Sequence, residues 1–260
     1  MKDMEPSEPS RLALPDGSSL AYRSTPGRPP TVLFLGGFTS DMTGTKATAL
    51  EAHCRTRGLS YVRFDYTGHG ASSGVFVEGT IGRWASDAVA VIDRLTRGPV
   101  VLVGSSLGGW LMVLAALARP DRVAGLVGIA AAPDFSEDLL WARLDEEARQ
   151  RVVATGALEI PNPYGPEPTI VTARLFEEAR DHLVLRGPIA LRCPVRLFHG
   201  LADREVPWDR SLRLAKALQG ADVTLTLVKD AAHRLSEPAD LERLFTAVDE
   251  LSEAAEATTR

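Results

Sequence analysis

The chain has 260 residues, 45% of them hydrophobic and 24% charged, with a formal net charge of −5. That length and apolar content suit one globular domain with a sizeable core. The negative balance gives no electrostatic basis for nucleic acid or an anionic membrane surface as partner.

The opening stretch, Met1-Lys2-Asp3-Met4-Glu5-Pro6, is acidic and lacks an apolar run, so neither a signal peptide nor an Arg-rich transit peptide is expected. Residues 1–10 read as a disordered polar tail and residues 11–260 as one domain. Residues 12–14 and 18–23 flank the turn Pro15-Asp16-Gly17 and predict an antiparallel hairpin. A strand at 31–35 ends in Gly36-Gly37, a helix follows at 43–57 and stops at Gly58, and another strand covers 60–65. A helix at 80–96 precedes Gly98-Pro99, a strand at 100–104 and a helix at 106–119. Val123–Ile129 is apolar and rich in β-formers.

Residues 133–190 break this rhythm. They predict two polar amphipathic helices, near 136–154 and 169–185, separated by the Pro-rich joint 160–168. Strands resume at 195–199 and Val223–Val228, with a helix near 209–219 between them and a final helix near 237–256. Strands alternating with helices predict an α/β fold, a mostly parallel central sheet with helices on both faces. The 133–190 insertion follows a strand's carboxyl end, where ligands bind in such sheets, and reads as a small helical cap over the site. No segment has the apolar length of a transmembrane helix, so no stable membrane insertion is expected. Cys54 and Cys193 lie far apart without metal-ligand spacing and read as reduced, buried thiols. A cytoplasmic protein is the expectation.

The chemistry centres on Gly104-Ser105-Ser106-Leu107-Gly108, a Gly-x-Ser-x-Gly motif between an apolar strand and an apolar helix. A serine held on so tight a turn needs neighbours without a Cβ, which Gly104 and Gly108 supply. Gly-rich turns of this kind also bind phosphate, but no such loop here carries the lysine of a phosphate-binding loop. Ser106 is therefore the candidate nucleophile. Its position at a helix N-terminus frees the Leu107 N–H for a developing oxyanion. A second donor is expected from the loop Leu35-Gly36-Gly37-Phe38, and Phe38 N–H is the candidate. An acyl-transfer serine needs a base and a group that orients it. His233, after the last predicted strand, is the candidate base; a surface-loop histidine is the plain alternative. Asp203, after the strand at 195–199, is the candidate orienting acid, with Asp134 one strand earlier as its rival. His69 reads as structural and His199 as the end of a strand. No carboxylate or histidine cluster has metal spacing, and neither a metal nor a cofactor is expected.

With these residues in place the chain resembles the α/β-hydrolase superfamily, and within it the acyl-glucuronide esterase and palmitoyl-protein thioesterase group. The resemblance rests on Gly104-Ser105-Ser106-Leu107-Gly108-Gly109-Trp110-Leu111-Met112, Met42-Thr43-Gly44-Thr45-Lys46-Ala47, Arg63-Phe64-Asp65-Tyr66-Thr67-Gly68, Cys193-Pro194-Val195-Arg196-Leu197-Phe198-His199-Gly200 and Val206-Pro207-Trp208. It runs from about residue 31 to 250. Gly36-Gly37 departs from the Pro-Gly of that group. The resemblance implies catalytic roles for Ser106, Asp203 and His233 in a bacterial relative that cleaves esters or thioesters through an acyl-enzyme. Hydrolysis of carbon–carbon or peptide bonds on the same fold, or a non-catalytic ligand-binding role, are the alternatives. Phe135, Leu139, Leu140, Trp141 and Tyr164 are the candidate substrate contacts, suited to an apolar acyl or aryl group; fastening of the cap to the sheet is the competing role.

Overall fold

Continuous apolar runs make strands buried on both faces, and Val100–Ser105 is one. In the computed structural model, which describes residues 8–162 and 165–259, it is buried at every position. In chain order the strands are β1 (Ser10–Ala13), β2 (Ser19–Thr25), β3 (Arg28–Leu35), β4 (Leu59–Phe64), β5 (Val100–Ser105), β6 (Val123–Ile129), β7 (Ala157–Ile160), β8 (Thr169–Thr172), β9 (Val195–Gly200) and β10 (Val223–Val228). All but β7 and β8 form one sheet of eight strands in the order β1-β2-β4-β3-β5-β6-β9-β10. The β1–β2 and β2–β4 pairs are antiparallel and the other pairs are parallel.

The helices are α1 (Thr45–Arg57), α2 (Ile81–Leu95), α3 (Leu107–Ala118), α4 (Glu146–Thr155), α5 (Ala173–Ala179), α6 (Asp209–Ala217) and α7 (Pro238–Thr259). Strand side chains alternate between two apolar layers, as the period of two requires. Leu33, Leu35, Leu102 and Leu126 join Ile92, Trp110 and Leu214, which come from α2, α3 and α6. Val32, Phe34, Val101, Val103 and Val127 join Leu50 of α1 and Val248 of α7. The sheet is thus covered on both faces.

β3 lies between β4 and β5, so the chain leaves β3 in one direction and later returns on its other side. This reversal brings the loops after β3 and β5 together, with Leu35 paired to Gly104 at their ends. Open α/β sheets bind ligands at such a switch point.

Local structure departs from expectation in three places. Ser10 belongs to β1 rather than to a tail, because residues 10–13 pair with residues 19–22; residues 1–7 lie outside the described residues. The first cap helix is broken into a wide π-type turn (Ser136–Leu140), a 3₁₀ turn (Trp141–Arg143) and α4. Asp145 restarts the helix: its Oδ1 accepts the Ala148 N–H at 2.8 Å, the work of an N-cap. The second cap helix is preceded by a strand. The β-branched run Thr169-Ile170-Val171-Thr172 pairs antiparallel with β7, and Thr172 then caps α5 by accepting the Leu175 N–H at 3.2 Å.

Candidate active site

Ser106 sits between β5 and α3 with φ 55° and ψ −117°, a conformation that costs strain in any residue other than glycine. Its surroundings hold it there. Its N–H donates to the Ile129 carbonyl at 2.9 Å, and its carbonyl accepts from Ala132 and Gly109 at 3.0 and 2.9 Å. A Cβ on Gly108 would lie 2.1 Å from the Leu35 carbonyl oxygen, and one on Gly104 would lie 2.3 Å from that of Gly108. The strand and helix therefore approach as closely as the two glycines of the motif suggest. A serine at this position commonly caps its helix. Here Oγ makes no capping bond and is turned toward His233 instead.

His233, on the loop between β10 and α7, places Nε2 3.0 Å from Ser106 Oγ and Nδ1 2.7 Å from Asp203 Oδ2. Asp203 lies on the loop after β9, and its side chain is fully buried. Burial alone would raise its pKa, but hydrogen bonds from His199 and His233, with the charge of His233 and the Val206 N–H, hold it well below the ordinary carboxylate range. An anionic Asp203 requires His233 to carry its proton on Nδ1, which leaves Nε2 free to accept the serine proton. Asp134, the rival acid, takes no part in this chain. It is buried, and it accepts the Val184 and Leu185 N–H groups at 2.8 and 2.9 Å where the cap returns to the body.

Leu107 is the first residue of α3, so its N–H has no acceptor within the helix. The loop after β3 passes directly over the serine: a Cβ on Gly37 would be 3.5 Å from Ser106 Cβ. Phe38 and Leu107 line the same cavity as Ser106. The Phe38 ring is packed edge-on against Phe76, Trp84 and Phe135, with centroids 5.0, 5.9 and 5.3 Å away, which fixes the backbone of that loop.

The cavity has a volume of about 580 Å³. Phe135, Leu139 and Leu140 of the cap line it. Trp141 does not line it. Its ring lies 5.2 Å from that of Phe176, and the guanidinium groups of Arg149 and Arg180 lie over it at 5.8 and 5.1 Å from its centroid, so it fastens the cap internally. Tyr164 lies outside the described residues. The charged groups Lys46, Arg143, Arg234, Asp41 and Glu205 also line the cavity and were not singled out from the sequence as site residues. Their only sequence signal is a scatter of charge in loops. Burial, with the nearby charge of Arg234, lowers Lys46 to about 8.

His69 is buried away from Ser106, its ring 5.1 Å from those of Phe76 and Trp84. Burial lowers its pKa to about 4. Cys54 is buried and Cys193 half-buried, both as free thiols, so the expectation of full burial holds for Cys54 alone. Among the described residues no cluster of three His, Cys, Asp or Glu side chains could hold a metal ion, and no helix is long and apolar enough to cross a membrane.

A serine on so tight a strand-to-helix turn, at the switch point of such a sheet, defines a class, and the comparisons agree. The model of the Alpha/beta hydrolase family matches residues 32–245, and the chain belongs to that family. It is 41% identical over 243 residues to the palmitoyl-protein thioesterase ABHD10, mitochondrial, of Bos taurus, covering 93% of this chain and 79% of that one. The human protein of the same name is also 41% identical, with the same coverage. Among solved structures, alpha/beta hydrolase domain-containing protein 10 from mouse superposes with a TM-score of 0.87 at 38% identity, over 94% of this chain and 98% of that one. A putative hydrolase from Agrobacterium vitis S4 gives a TM-score of 0.90 at 39% identity, over 95% of this chain and all of that one.

Proposed function

We propose that the protein is a serine hydrolase of carboxylic esters and thioesters, with Ser106 as nucleophile, His233 as general base and Asp203 as its orienting acid. The observation that carries this reading is the unbroken chain from Ser106 Oγ to His233 to Asp203, at 3.0 and 2.7 Å, on the wall of a cavity. Oγ attacks the acyl carbonyl as His233 Nε2 takes its proton. The Phe38 and Leu107 N–H groups receive the oxyanion. The imidazolium returns the proton to the leaving alcohol or thiol, and an acyl-enzyme remains on Ser106. Water then repeats the sequence, with His233 accepting its proton and giving it back to Oγ as the acid departs. This chemistry asks for no metal or cofactor.

Phe135, Leu139 and Leu140 suit an apolar acyl or aryl group, and Lys46, Arg143 and Arg234 suit a leaving group that carries a carboxylate. Soluble monomeric esters and S-acyl thioesters, aryl-acid glucuronides among them, are therefore the substrates we propose, with little action on emulsified triglyceride. The similarity to proteins named as palmitoyl-protein thioesterases supports the thioester part. A cytoplasmic site of action belongs to the same proposal, supported by the two free thiols; the mammalian relatives are named as mitochondrial, and fractionation of the source cells tests it. A fluorophosphonate probe should label the wild-type protein and not Ser106→Ala. A panel of monomeric esters, thioesters and acyl glucuronides should then show turnover. Absence of labelling would overturn the triad. Labelling with rates that rise only above the solubility limit of a long-chain ester would replace this reading with a lipase.

A further inference from the structure

Asp203 is held by more than His233. Its Oδ1 accepts the N–H groups of Glu205 and Val206, both at 2.9 Å, which close the loop after β9 into a tight turn. Its Oδ2, the oxygen that faces His233, has a second partner at 3.1 Å: Nε2 of His199. His199 is the penultimate residue of β9 and is fully buried. The same Nε2 lies 3.0 Å from the Val206 carbonyl oxygen. Both neighbours of that nitrogen are acceptors, so it must carry a hydrogen and share it between them. The other ring nitrogen, Nδ1, lies 2.7 Å from Ser211 Oγ on α6. With the proton on Nε2, the serine hydroxyl donates to Nδ1, and the tautomer is fixed from behind.

We propose that His199 is a positioning residue for the active site, a second imidazole that grips the same Asp203 Oδ2 as His233. The proposal rests on the reading of Ser106, His233 and Asp203 as the triad. A carboxylate oxygen that accepts from two imidazole N–H groups cannot swing about its Cβ–Cγ bond without breaking one of them. The grip also sets how strongly Asp203 attracts a proton on His233. A donor on Oδ2 draws negative charge from that oxygen and so lowers the advantage of imidazolium over imidazole at His233. Removing the donor should leave Asp203 a looser and more strongly attracting partner. His233 should then keep its proton to higher pH, and the fraction with a free base at neutral pH should fall.

Other charged groups lie about this pair. Glu205 neighbours Asp203 in the chain and Arg234 neighbours His233. Lys46 of α1 donates from Nζ to the Arg234 carbonyl. Arg210 precedes Ser211 and is paired with Asp138. None of them changes in the variants below, so a shift on His233 reports on His199.

His199→Leu removes the donor and keeps much of the volume. His199→Gln keeps an N–H donor near the position of Nε2. Histidine-labelled protein allows the His233 ring to be titrated directly by NMR, while kcat and KM are measured on one monomeric ester. Thermal unfolding confirms that each variant is folded. For His199→Leu we expect the His233 titration to move up by on the order of one pH unit. Its kcat should fall about 10- to 100-fold, the scale of one lost hydrogen bond to a charged group, with KM within about twofold. His199→Gln should restore most of both. A folded His199→Leu that titrates and turns over like wild type would overturn the proposal. So would equal loss in both variants with the His233 titration unmoved, since that is the signature of packing alone. Should His199→Leu fail to fold, Ser211→Ala, which frees the back of the ring, takes its place. A smaller shift in the same direction supports the proposal, and none overturns it. The titration is read from the ring itself, so it decides for His199 even where the fluorophosphonate leaves Ser106 unlabelled and the triad reading falls.

Discussion

The sheet and the cap are held by different forces. β5 is buried at every position between two apolar layers, and its turn into α3 has no space for a single added methyl group at Gly104 or Gly108. The cap shares the body's apolar cluster through Phe135, Leu139, Val171, Leu175 and Phe176, and directed polar bonds close its return and tie it to the body. Asp134 takes two N–H groups of the returning chain. Glu178 accepts the Gly82 N–H of α2 at 2.9 Å, and Trp110 Nε1 donates to the His182 carbonyl at 3.0 Å. Asp138 binds Arg186 and Arg210, each at 2.5 Å, and Arg213 at 3.3 Å. Ser106 thus rides on a close-packed element, while part of the cap's attachment rests on contacts that salt, pH or one substitution can loosen.

The largest effect should come from the sheet side. If Ser106 is the nucleophile we propose, Ser106→Ala should lower kcat by on the order of 10⁶ with the unfolding midpoint unchanged, because Oγ makes no capping bond. Undiminished hydrolysis by the folded variant would remove Ser106 from the mechanism.

Next come the two carboxylates, one on each side of the comparison. Asp203→Asn keeps the shape but offers His233 an amide, favouring the wrong tautomer, and should cost about 10⁴ in kcat. Asp134→Asn should leave kcat within about tenfold and act on stability, because it weakens two hydrogen bonds at the cap's return. Parallel steady-state kinetics of the two variants decide this. A larger kcat loss in Asp134→Asn would move the orienting acid one strand earlier.

What the sequence made legible follows the same division. Ser106, Gly104 and Gly108 could be read because the backbone itself demands those residues at those positions. Asp203 and His233 could be read because each follows a strand whose carboxyl end must point at the serine. Trp141 could not. Its apolar neighbours Leu139 and Leu140 do face the cavity, but successive helical side chains point in different directions, and the partners that take the Trp141 ring, Phe176, Arg149 and Arg180, come from α4, α5 and the turn after it. The strand Thr169–Thr172 was hidden because a four-residue β-branched run beside a charged helix fits either state until a partner strand is known. His199 was legible as the end of a strand, but its bond to Asp203 arises only when the loop curls back over four residues.

A smaller effect separates the interior of the body from its surface. His69 is folded with a pKa lowered to about 4 by burial, against 6.5 in a solvated histidine, and its Nε2 has no partner. Above pH 6.5 both folded and unfolded chains hold it neutral, and it costs nothing. As the pH falls from 6.5 toward 4, the unfolded chain binds a proton that the folded chain refuses, so stability is lost. Between pH 7 and 5 that loss is about 2 kcal/mol. His69→Phe should therefore show a flatter decline of its urea midpoint over that interval than wild type. Parallel declines in the two proteins would mean that another group carries the acid sensitivity.

The smallest effect should appear where the cap is pinned. Burial pushes Asp138 up, but hydrogen bonds from Arg186 and Arg210 outweigh it and bring its pKa down to about 2. The pin is therefore fully present above about pH 4 and is lost as the pH falls through 2. At neutral pH it can be drawn by Asp138→Asn, which leaves the three arginines with an amide in place of a carboxylate. Arg186 and Arg213 are more than a third exposed, so their share is screened by water, and the net change in global stability should be about 1 kcal/mol or less. The local change should be clearer. Hydrogen exchange in α4 and in the β7–β8 hairpin should quicken about fivefold, while β5 and β6 stay protected. KM for a monomeric ester should rise about threefold with kcat within twofold, since Leu139 and Leu140 flank this pin and line the cavity. Added salt should narrow the gap in KM between wild type and variant, because it weakens the wild-type pairs and has no carboxylate to screen in the other. Exchange that quickens equally in β5 would show that cap and sheet unfold as one unit, and the division drawn between them would not stand.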